Sequence, residues 1–115
     1  MTDYDSVIAG IRERRLAVPR YPCSLAAHVE TEGHRSPCII ENMSTDGLGL
    51  RIDSILRLKS NSEIIVACEE IGSLGCTVRW VAGGRAGVEL GRTAKKSLLL
   101  RALISSFEKK RNGDG

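Results

Sequence analysis

Apolar and polar residues alternate along much of the chain from Cys23 onward, which is the pattern of β-strands with one buried face. Turn-forming residues interrupt the alternation, and Gly83-Gly84 is typical of a two-residue hairpin. The six strands that we read are 23–30, 37–44, 47–53, 63–70, 74–82 and 85–90. Because short strands of this kind must bury their apolar faces together, the sequence predicts an all-β fold, a six-stranded antiparallel β-barrel.

The alternation ends near Thr93, where apolar residues begin to recur at the spacing of an α-helix. We expect Thr93 to be the N-cap of this C-terminal helix, and its apolar stripe to cover one mouth or side of the barrel. The stripe consists of Leu99, Leu100, Leu103, Ile104 and Phe107. The side chains that we expect to point into the barrel include Leu48, Leu50, Val78, Trp80 and Val88.

The chain has 115 residues, which fits a single domain. Residues 3–15 carry apolar positions at helical spacing and predict a short N-terminal helix. Residues 12–20 form an arginine-rich arm, and Pro19 and Pro22 are expected to keep this stretch out of both helix and sheet. The predicted organisation is an N-terminal helix and arm over 1–22, then the barrel with its C-terminal helix over 23–115.

Charge and composition narrow the classes of function. The formal net charge is +3 and aromatic residues make up 3% of the chain, whereas proteins that read single-stranded nucleic acid need a basic groove and aromatic faces. No apolar run approaches the roughly 18 residues of a membrane span. Residues 1–10 lack the basic start and apolar core of a signal peptide. We therefore expect a cytoplasmic location and no nucleic-acid partner.

The residues that commonly carry catalysis or bind metal are poorly placed for either. Cys23, Cys38, Cys68 and Cys76 form no Cys-x-x-Cys pair, so we expect free thiols packed in the core and no metal site. Both histidines lie near the first turn, and the chain has no phosphate loop, nucleophile elbow or dinucleotide fingerprint. We expect no catalytic residue and no enzyme activity.

Two polar features remain, the arginine-rich arm and the segment Asn42–Gly47, which we call the polar loop. The strands between them form a hairpin that goes out and returns, so the arm and the polar loop are expected to be neighbours. Arginine forks bind phosphate and guanine bidentately, and Asn or Ser side chains beside a glycine can hydrogen-bond the edge of a base. Each feature also has a plain structural interpretation, as a solvated linker and as a turn that begins the third strand.

The arm and the polar loop together resemble the motifs of PilZ domains, the bacterial receptors for cyclic di-GMP. The polar loop matches the family's Asp/Asn-x-Ser-x-x-Gly motif at every defined position, and residues 77–90 resemble its last hairpin. The family's other motif is Arg-x-x-x-Arg. Here Arg15 and Arg20 stand one residue further apart, because Leu16 occupies the position where the first arginine is expected. The resemblance spans residues 12–107.

The resemblance implies a six-stranded barrel with a C-terminal helix that binds cyclic di-GMP and relays the signal to a protein partner. It also implies a monomer or weak dimer that needs no further cofactor. The ligand-binding residues that it implies are Arg14, Arg15, Arg20, Asn42, Ser44 and Gly47.

Each of these residues has an expected role. Arg15 and Arg20 are expected to hold phosphate and guanine, and Arg14 is the substitute for Arg15. Asn42 and Ser44 are expected to contact a guanine edge. The glycine that ends the polar loop is expected to supply a backbone conformation that a side chain would obstruct.

The lengthened spacing from Arg15 to Arg20 leaves open a degenerate PilZ-like module that binds a protein and no nucleotide. A bulge in the arm is the other outcome of the same spacing, and it would preserve the ligand site. A small-barrel nucleic-acid binder is a further alternative, which the low net charge and the scarcity of aromatic residues disfavour.

Overall fold

The computed structural model describes residues 18–52 and 58–111. Its strands are β1 (Tyr21–Thr31), β2 (His34–Met43), β3 (Gly47–Arg51), β4 (Glu63–Cys68), β5 (Gly72–Ala82) and β6 (Arg85–Leu90). The helices in these ranges are α1 (Arg92–Lys95) and α2 (Leu98–Arg111). The helix predicted over 3–15 lies outside the described residues, as do Arg14, Arg15 and Leu16.

The six strands close into a barrel in the order β1-β2-β3-β6-β5-β4, and every neighbouring pair is antiparallel. Each strand is paired on both sides, so closure removes the open edges that a flat sheet of this size would expose. The predicted six-stranded antiparallel barrel with a C-terminal helix is confirmed. Gly83 and Gly84 form the predicted hairpin turn, with φ values of 56° and 79°, the left-handed region that a type I′ turn needs.

The inward-facing positions follow the predicted alternation in most strands. The side chains of Leu48, Leu50, Val78 and Val88 are buried as expected. The largest fully buried side chains are Ile40, Met43, Leu48, Leu50, Ile71, Leu100, Val29, Val66 and Val78. All four cysteines are free, and three of them are buried in this core, as their spacing predicted.

Trp80 is the exception, and its predicted place inside the barrel is wrong. Half of its surface is exposed. Val78 pairs with Val88, and Trp80 pairs with Gly87, so β5 carries one more residue than β6 between these pairs. This β-bulge shifts the alternation by one position, and Trp80 therefore lies on the outside of the barrel.

The start of β1 also differs from expectation. Tyr21 and Pro22 belong to the strand, so the prediction that Pro22 stays outside the sheet is wrong. The register of β1 against β2 shifts between Pro22 and Leu25. A proline is tolerated at this position because it lies near the beginning of the strand, beside a bulge where the ladder of hydrogen bonds is interrupted.

The C-terminal helix begins later than the sequence suggested. Thr93 lies inside the single turn of α1, so the predicted N-cap is wrong. The cap of α2 is Ser97, whose hydroxyl accepts a hydrogen bond from the backbone N–H of Leu100 at 3.1 Å. Leu100 and Ile104 are buried and Leu103 and Phe107 are partly buried against the core, whereas Leu99 of the predicted stripe is exposed.

Helix α2 covers the end of the barrel where β1, β3 and β5 begin, which we call the helix-covered mouth. At one end of α2, the ring of Phe107 lies 6.1 Å from that of Tyr21, measured between centroids. Near the other end, Cδ1 of Leu99 lies 3.9 Å from the place that a Cβ on Gly72 would take. Neither α1 nor α2 has the length and apolarity to cross a membrane, and no other helix is seen in the part of the chain that the structure describes.

Candidate functional site

The β1–β2 hairpin brings the end of the arm, residues 18–20, next to the polar loop, as the sequence predicted for that part of the arm. Tyr21 pairs with Met43, and Pro22 pairs with Asn42. Arg20 is exposed and directly precedes this pairing, so it emerges from the barrel beside the polar loop. Arg14 and Arg15 lie outside the described residues, so the structure leaves their expected contacts untested.

Ser44 organises the polar loop from within. Its hydroxyl accepts hydrogen bonds from the backbone N–H groups of Asp46 at 3.0 Å and Gly47 at 3.1 Å. The Ser44 N–H donates to the carbonyl of Gly47 at 2.9 Å. The side chain is 3% exposed, so Ser44 fixes the turn that leads into β3. A contact from Ser44 to a ligand remains a prediction.

Gly47 is required by close packing between β3 and β6. A Cβ at this position would collide with the carbonyl oxygen of Val88. The backbone N–H of Leu90 donates to the carbonyl of Asp46 at 2.8 Å, which fastens the polar loop to the last strand. The loop is thus held at a corner of the barrel by hydrogen bonds within the chain.

Asn42 lies flat against the outer surface of β3. A bulge between Ile40 and Asn42 turns its side chain outward, and Asn42 then pairs with Gly49. A Cβ on Gly49 would lie 2.5 Å from Nδ2 and 2.8 Å from Oδ1 of Asn42, so only glycine leaves room for the amide. The Oδ1 atom is shielded from solvent and has no hydrogen-bond partner among the described residues.

Trp80 repeats this arrangement on the neighbouring strands. Gly49 pairs with Gly87, and Gly87 pairs with Trp80. A Cβ on Gly87 would collide with the indole ring, so the indole also lies over a glycine. Asn42, Gly49, Gly87 and Trp80 thus form one row across β2, β3, β6 and β5, which we call the glycine face.

Sequence reasoning missed Trp80 as a site residue because strict alternation placed it in the core. A signal was nevertheless present. When a tryptophan near a hairpin turn lies opposite a glycine in the next strand, its aromatic ring can cover the backbone that the glycine leaves bare.

Arginine and glutamate side chains flank the glycine face. Glu41 accepts a hydrogen bond from Nε of Arg85 at 2.8 Å, and one of its oxygens lies 3.7 Å from Nε of Arg51. The hydrogen bond from Arg85, with the charges of both arginines, lowers the pKa of the Glu41 carboxyl. Two guanidinium groups share this one carboxylate, so the cluster keeps an excess positive charge next to the glycine face.

The cysteine thiols are poor candidates for chemistry. Burial, the largest cause, raises the pKa of Cys76 to about 12 and those of Cys23 and Cys38 to about 11. At neutral pH these groups are protonated, whereas the thiolate is the reactive form. In the described ranges, no group of three His, Cys, Asp or Glu side chains is placed to hold a metal ion.

Two concavities lie outside the glycine face itself. A groove of about 910 Å³ runs over Ile65 and Gly75 on the outside of β4 and β5, next to α1. A smaller one of about 510 Å³ is lined by Arg51, Ile52 and Arg85 at the far end of the glycine face. The glycine face is itself an open surface, so a ligand there needs a covering segment or its own extensive hydrogen bonds to be held.

A family model for the PilZ domain matches residues 12–105 of the chain. This range contains the arm, the barrel with its polar loop, and the first part of α2. A comparison with curated protein sequences gives no match.

Solved structures share the architecture at low sequence identity. The PilZ domain of CeSA from a cellulose-synthesizing bacterium is 14% identical, with a TM-score of 0.61 over 76% of this chain and 96% of that chain. The PilZ domain of YcgR from Escherichia coli with c-di-GMP is 12% identical, with a TM-score of 0.59 over 85% and 97%.

A third similar structure belongs to a longer protein. The Bacillus subtilis inhibitor of motility MotI/DgrA is 15% identical, with a TM-score of 0.58 over 80% of this chain. This chain spans about half of its length, 51%. At such identities the likeness establishes the fold.

Proposed function

Because the chain belongs to the PilZ domain family, we propose that it is a receptor for cyclic di-GMP that binds the nucleotide on the glycine face. We further propose that the role is non-enzymatic and that binding is relayed to a partner protein. Two of the similar structures are of Escherichia coli YcgR with c-di-GMP. Binding of this nucleotide by YcgR supports the proposal for the present chain.

The observation that carries the proposal is the pairing of Tyr21 with Met43. This pairing sets Arg20 at the edge of the polar loop, and the polar loop leads directly to the row that contains Asn42 and Trp80. A cationic fork, an amide and a half-exposed indole therefore border one surface. Cyclic di-GMP presents the matching groups, which are anionic phosphates, hydrogen-bonding guanine edges and flat guanine rings.

Each group on this surface has a chemical role in the proposal. Arg20, with Arg15 or Arg14 from the arm, donates paired hydrogen bonds to phosphate or to guanine. Asn42 Oδ1 is shielded from solvent and lacks a partner among the described residues, and a donor from the arm, or from a guanine edge that displaces what covers the atom, would satisfy it. The indole of Trp80 offers an exposed aromatic surface for stacking.

The proposed relay to a partner is supported by a contact between α2 and the beginning of β1. Tyr21 follows Arg20 in the chain, packs against Phe107 and donates a hydrogen bond to Glu108 at 3.4 Å. A ligand that fixes Arg20 therefore acts on a residue that contacts the C-terminal helix. The proposed output is a changed surface at the helix-covered mouth, which a partner protein reads.

Isothermal titration calorimetry with cyclic di-GMP tests the proposal. We expect saturable binding that weakens with added salt, because part of the attraction is between charges. Arg20→Ala removes a charge-assisted bond worth about 1.5–3 kcal/mol, which is about a tenfold to hundredfold loss of affinity. The matched control is Arg35→Ala, an exposed arginine on β2 that is paired with Glu30 and lies at the opposite end of the barrel. It should leave the affinity unchanged.

The lengthened Arg15–Arg20 spacing favours one second candidate, a protein-interaction module that has lost the nucleotide. Absence of any binding heat from the wild-type chain would replace the receptor proposal with this one. Equal losses in Arg20→Ala and Arg35→Ala would instead show binding by general charge, and would remove the glycine face as the site.

A further inference from the structure

The start of α2 presents two leucines that the core does not use. Leu98 is 81% exposed and Leu99 is 57% exposed, although the next residue, Leu100, is 1% exposed. The helix buries Leu100 and Ile104 against the barrel, whereas Leu98 is almost wholly exposed and Leu99 reaches Gly72 with one end and leaves most of its surface exposed. Together with Lys95, Lys96 and Arg101, which are exposed in the same segment, these leucines form what we call the basic leucine patch.

The positive charges of this patch have no acidic partner within the described residues. Residues 91–107 contain four cationic side chains and no Asp or Glu. The described arginines of the strands that follow β1 are each within ion-pair distance of a glutamate. Lys95 and Lys96 make no ion pair within the described residues, and the guanidinium group of Arg101 donates to the backbone carbonyl of Lys95, at 3.2 Å, and to no carboxylate there.

We propose that the basic leucine patch docks the protein on an anionic phospholipid surface. Exposed cations near such a surface gain attraction from its negative potential, and apolar side chains at their centre insert into the headgroup region. The proposal concerns reversible contact with one leaflet and does not rest on cyclic di-GMP binding.

The shape of the patch favours a lipid surface over an acidic protein. Side chains that are mostly exposed on a first helical turn form a projection, and a protein would need a matching pocket to bury it. A lipid interface takes up projecting side chains without a preformed pocket. The buried stripe of α2 faces the barrel, so contact is confined to α1 and the beginning of α2. Leu99 lies near Gly72, the first residue of β5. The turn that precedes Gly72 carries Glu69 and Glu70, whose negative charges would repel an anionic surface on that side.

The patch is separate from the proposed nucleotide site. Leu98 and Phe107 are nine residues apart on α2, which corresponds to about 14 Å along the helix. Phe107 marks the end of the helix that contacts Tyr21, at the beginning of β1. A membrane contact and a ligand can therefore occupy opposite ends of the same helix.

Flotation of the full chain with phospholipid vesicles tests the proposal. The probes are vesicles of phosphatidylcholine alone and of phosphatidylcholine mixed with phosphatidylglycerol. We expect binding to the anionic vesicles that falls with added salt, and little binding to the neutral ones. The double variants Lys95→Glu/Lys96→Glu and Leu98→Ala/Leu99→Ala should each lower the partition coefficient by about tenfold or more.

The chain provides matched controls for both variants. Lys109→Glu/Lys110→Glu makes the same change of charge at the other end of α2, and Ile65→Ala removes an exposed apolar side chain from β4. Both controls should bind as wild type does, and circular dichroism should show all variants folded. Failure of the wild-type chain to bind anionic vesicles would overturn the proposal, as would equal losses in the controls. A leucine-dependent dimer in sedimentation velocity, without vesicle binding, would assign the patch to a second copy instead.

Discussion

Ser44 and Ser106 each donate a hydroxyl hydrogen bond to a backbone carbonyl, at 3.4 Å and 2.8 Å, but only Ser44 is buried and also accepts two backbone N–H groups. Ser44→Ala leaves those donors without their partner inside the polar loop. We expect a loss of about 1–3 kcal/mol in the free energy of unfolding, measured by urea denaturation. Ser106→Ala, at an exposed helical site, should change it by less than about 0.5 kcal/mol. Equal effects of the two variants would contradict the structural role of Ser44.

Gly87→Ala tests the residue that supports Trp80. The new methyl group would displace the indole, which is half exposed and free to move outward. We expect the stability to change by less than about 1 kcal/mol, while the emission of Trp80, the single tryptophan, shifts toward that of a solvated indole. Gly75→Ala on β5 is the control, since no atom lies within 4 Å of its Cβ position. An unshifted emission in Gly87→Ala would place the indole elsewhere.

At the residue scale, the sequence predicted the apolar interior well and the exceptions poorly. Alternation located Val78 and Val88 correctly, because regular strands bury every second side chain. It failed at Trp80 because a bulge adds one residue to β5. Bulges depend on how two strands pair, which the pattern of a single strand does not contain.

At the scale of elements, residues of α2 differ in how much they stabilise the fold, according to their burial. Leu100→Ala removes a fully buried side chain between the helix and the barrel, and we expect a loss of about 2–5 kcal/mol in the free energy of unfolding. Leu98→Ala, two positions earlier, should cost less than about 1 kcal/mol because Leu98 is exposed. Thermal melts of the two variants compare these effects directly. A reversed order would mean that the helix packs by its other side.

The elements themselves were largely predictable. Period-two patterns ended at turns with Gly33, Gly72 and Gly83, each of which has a positive φ that favours glycine. The beginning of α2 was not predictable from the apolar stripe alone, because the helical pattern from Thr93 is broken at Lys96 and Ser97, between α1 and α2. Ser97 caps α2 three residues before Leu100, which is buried against the barrel, so this tertiary contact helps to set where the helix begins.

At the scale of the whole molecule, the buried thiols predict how stability depends on alkaline pH. Their folded-state pKa values of about 11 to 12 exceed the ordinary value of 9.0, chiefly because of burial. The unfolded chain therefore releases these protons first as the pH rises. These thiols should therefore leave the free energy of unfolding unchanged below about pH 9, and should lower it as the pH rises above about 9. Urea denaturation from pH 8 upward measures the slope, and Cys76→Ala should reduce it. A stability that rises above pH 9 would contradict the burial of the thiols.

The meeting of the arm with the polar loop was predictable at this scale, because a hairpin returns its end to its beginning. The glycine face was not. It requires the register that pairs Gly49 with Gly87, together with two bulges that turn Asn42 and Trp80 outward. The pairing of β3 with β6, which are distant in the sequence, brings these four residues from four strands into one row.

A titration of the chain with cyclic di-GMP, monitored by the fluorescence of Trp80, tests most directly whether the glycine face binds the nucleotide. We expect a saturable change in emission with the same midpoint as in calorimetry. Arg20→Ala should shift that midpoint to about tenfold to hundredfold higher ligand concentration, while Arg35→Ala should leave it in place. Binding heat without any change in Trp80 emission would contradict the glycine face as the site, and the absence of both signals would contradict the receptor function itself.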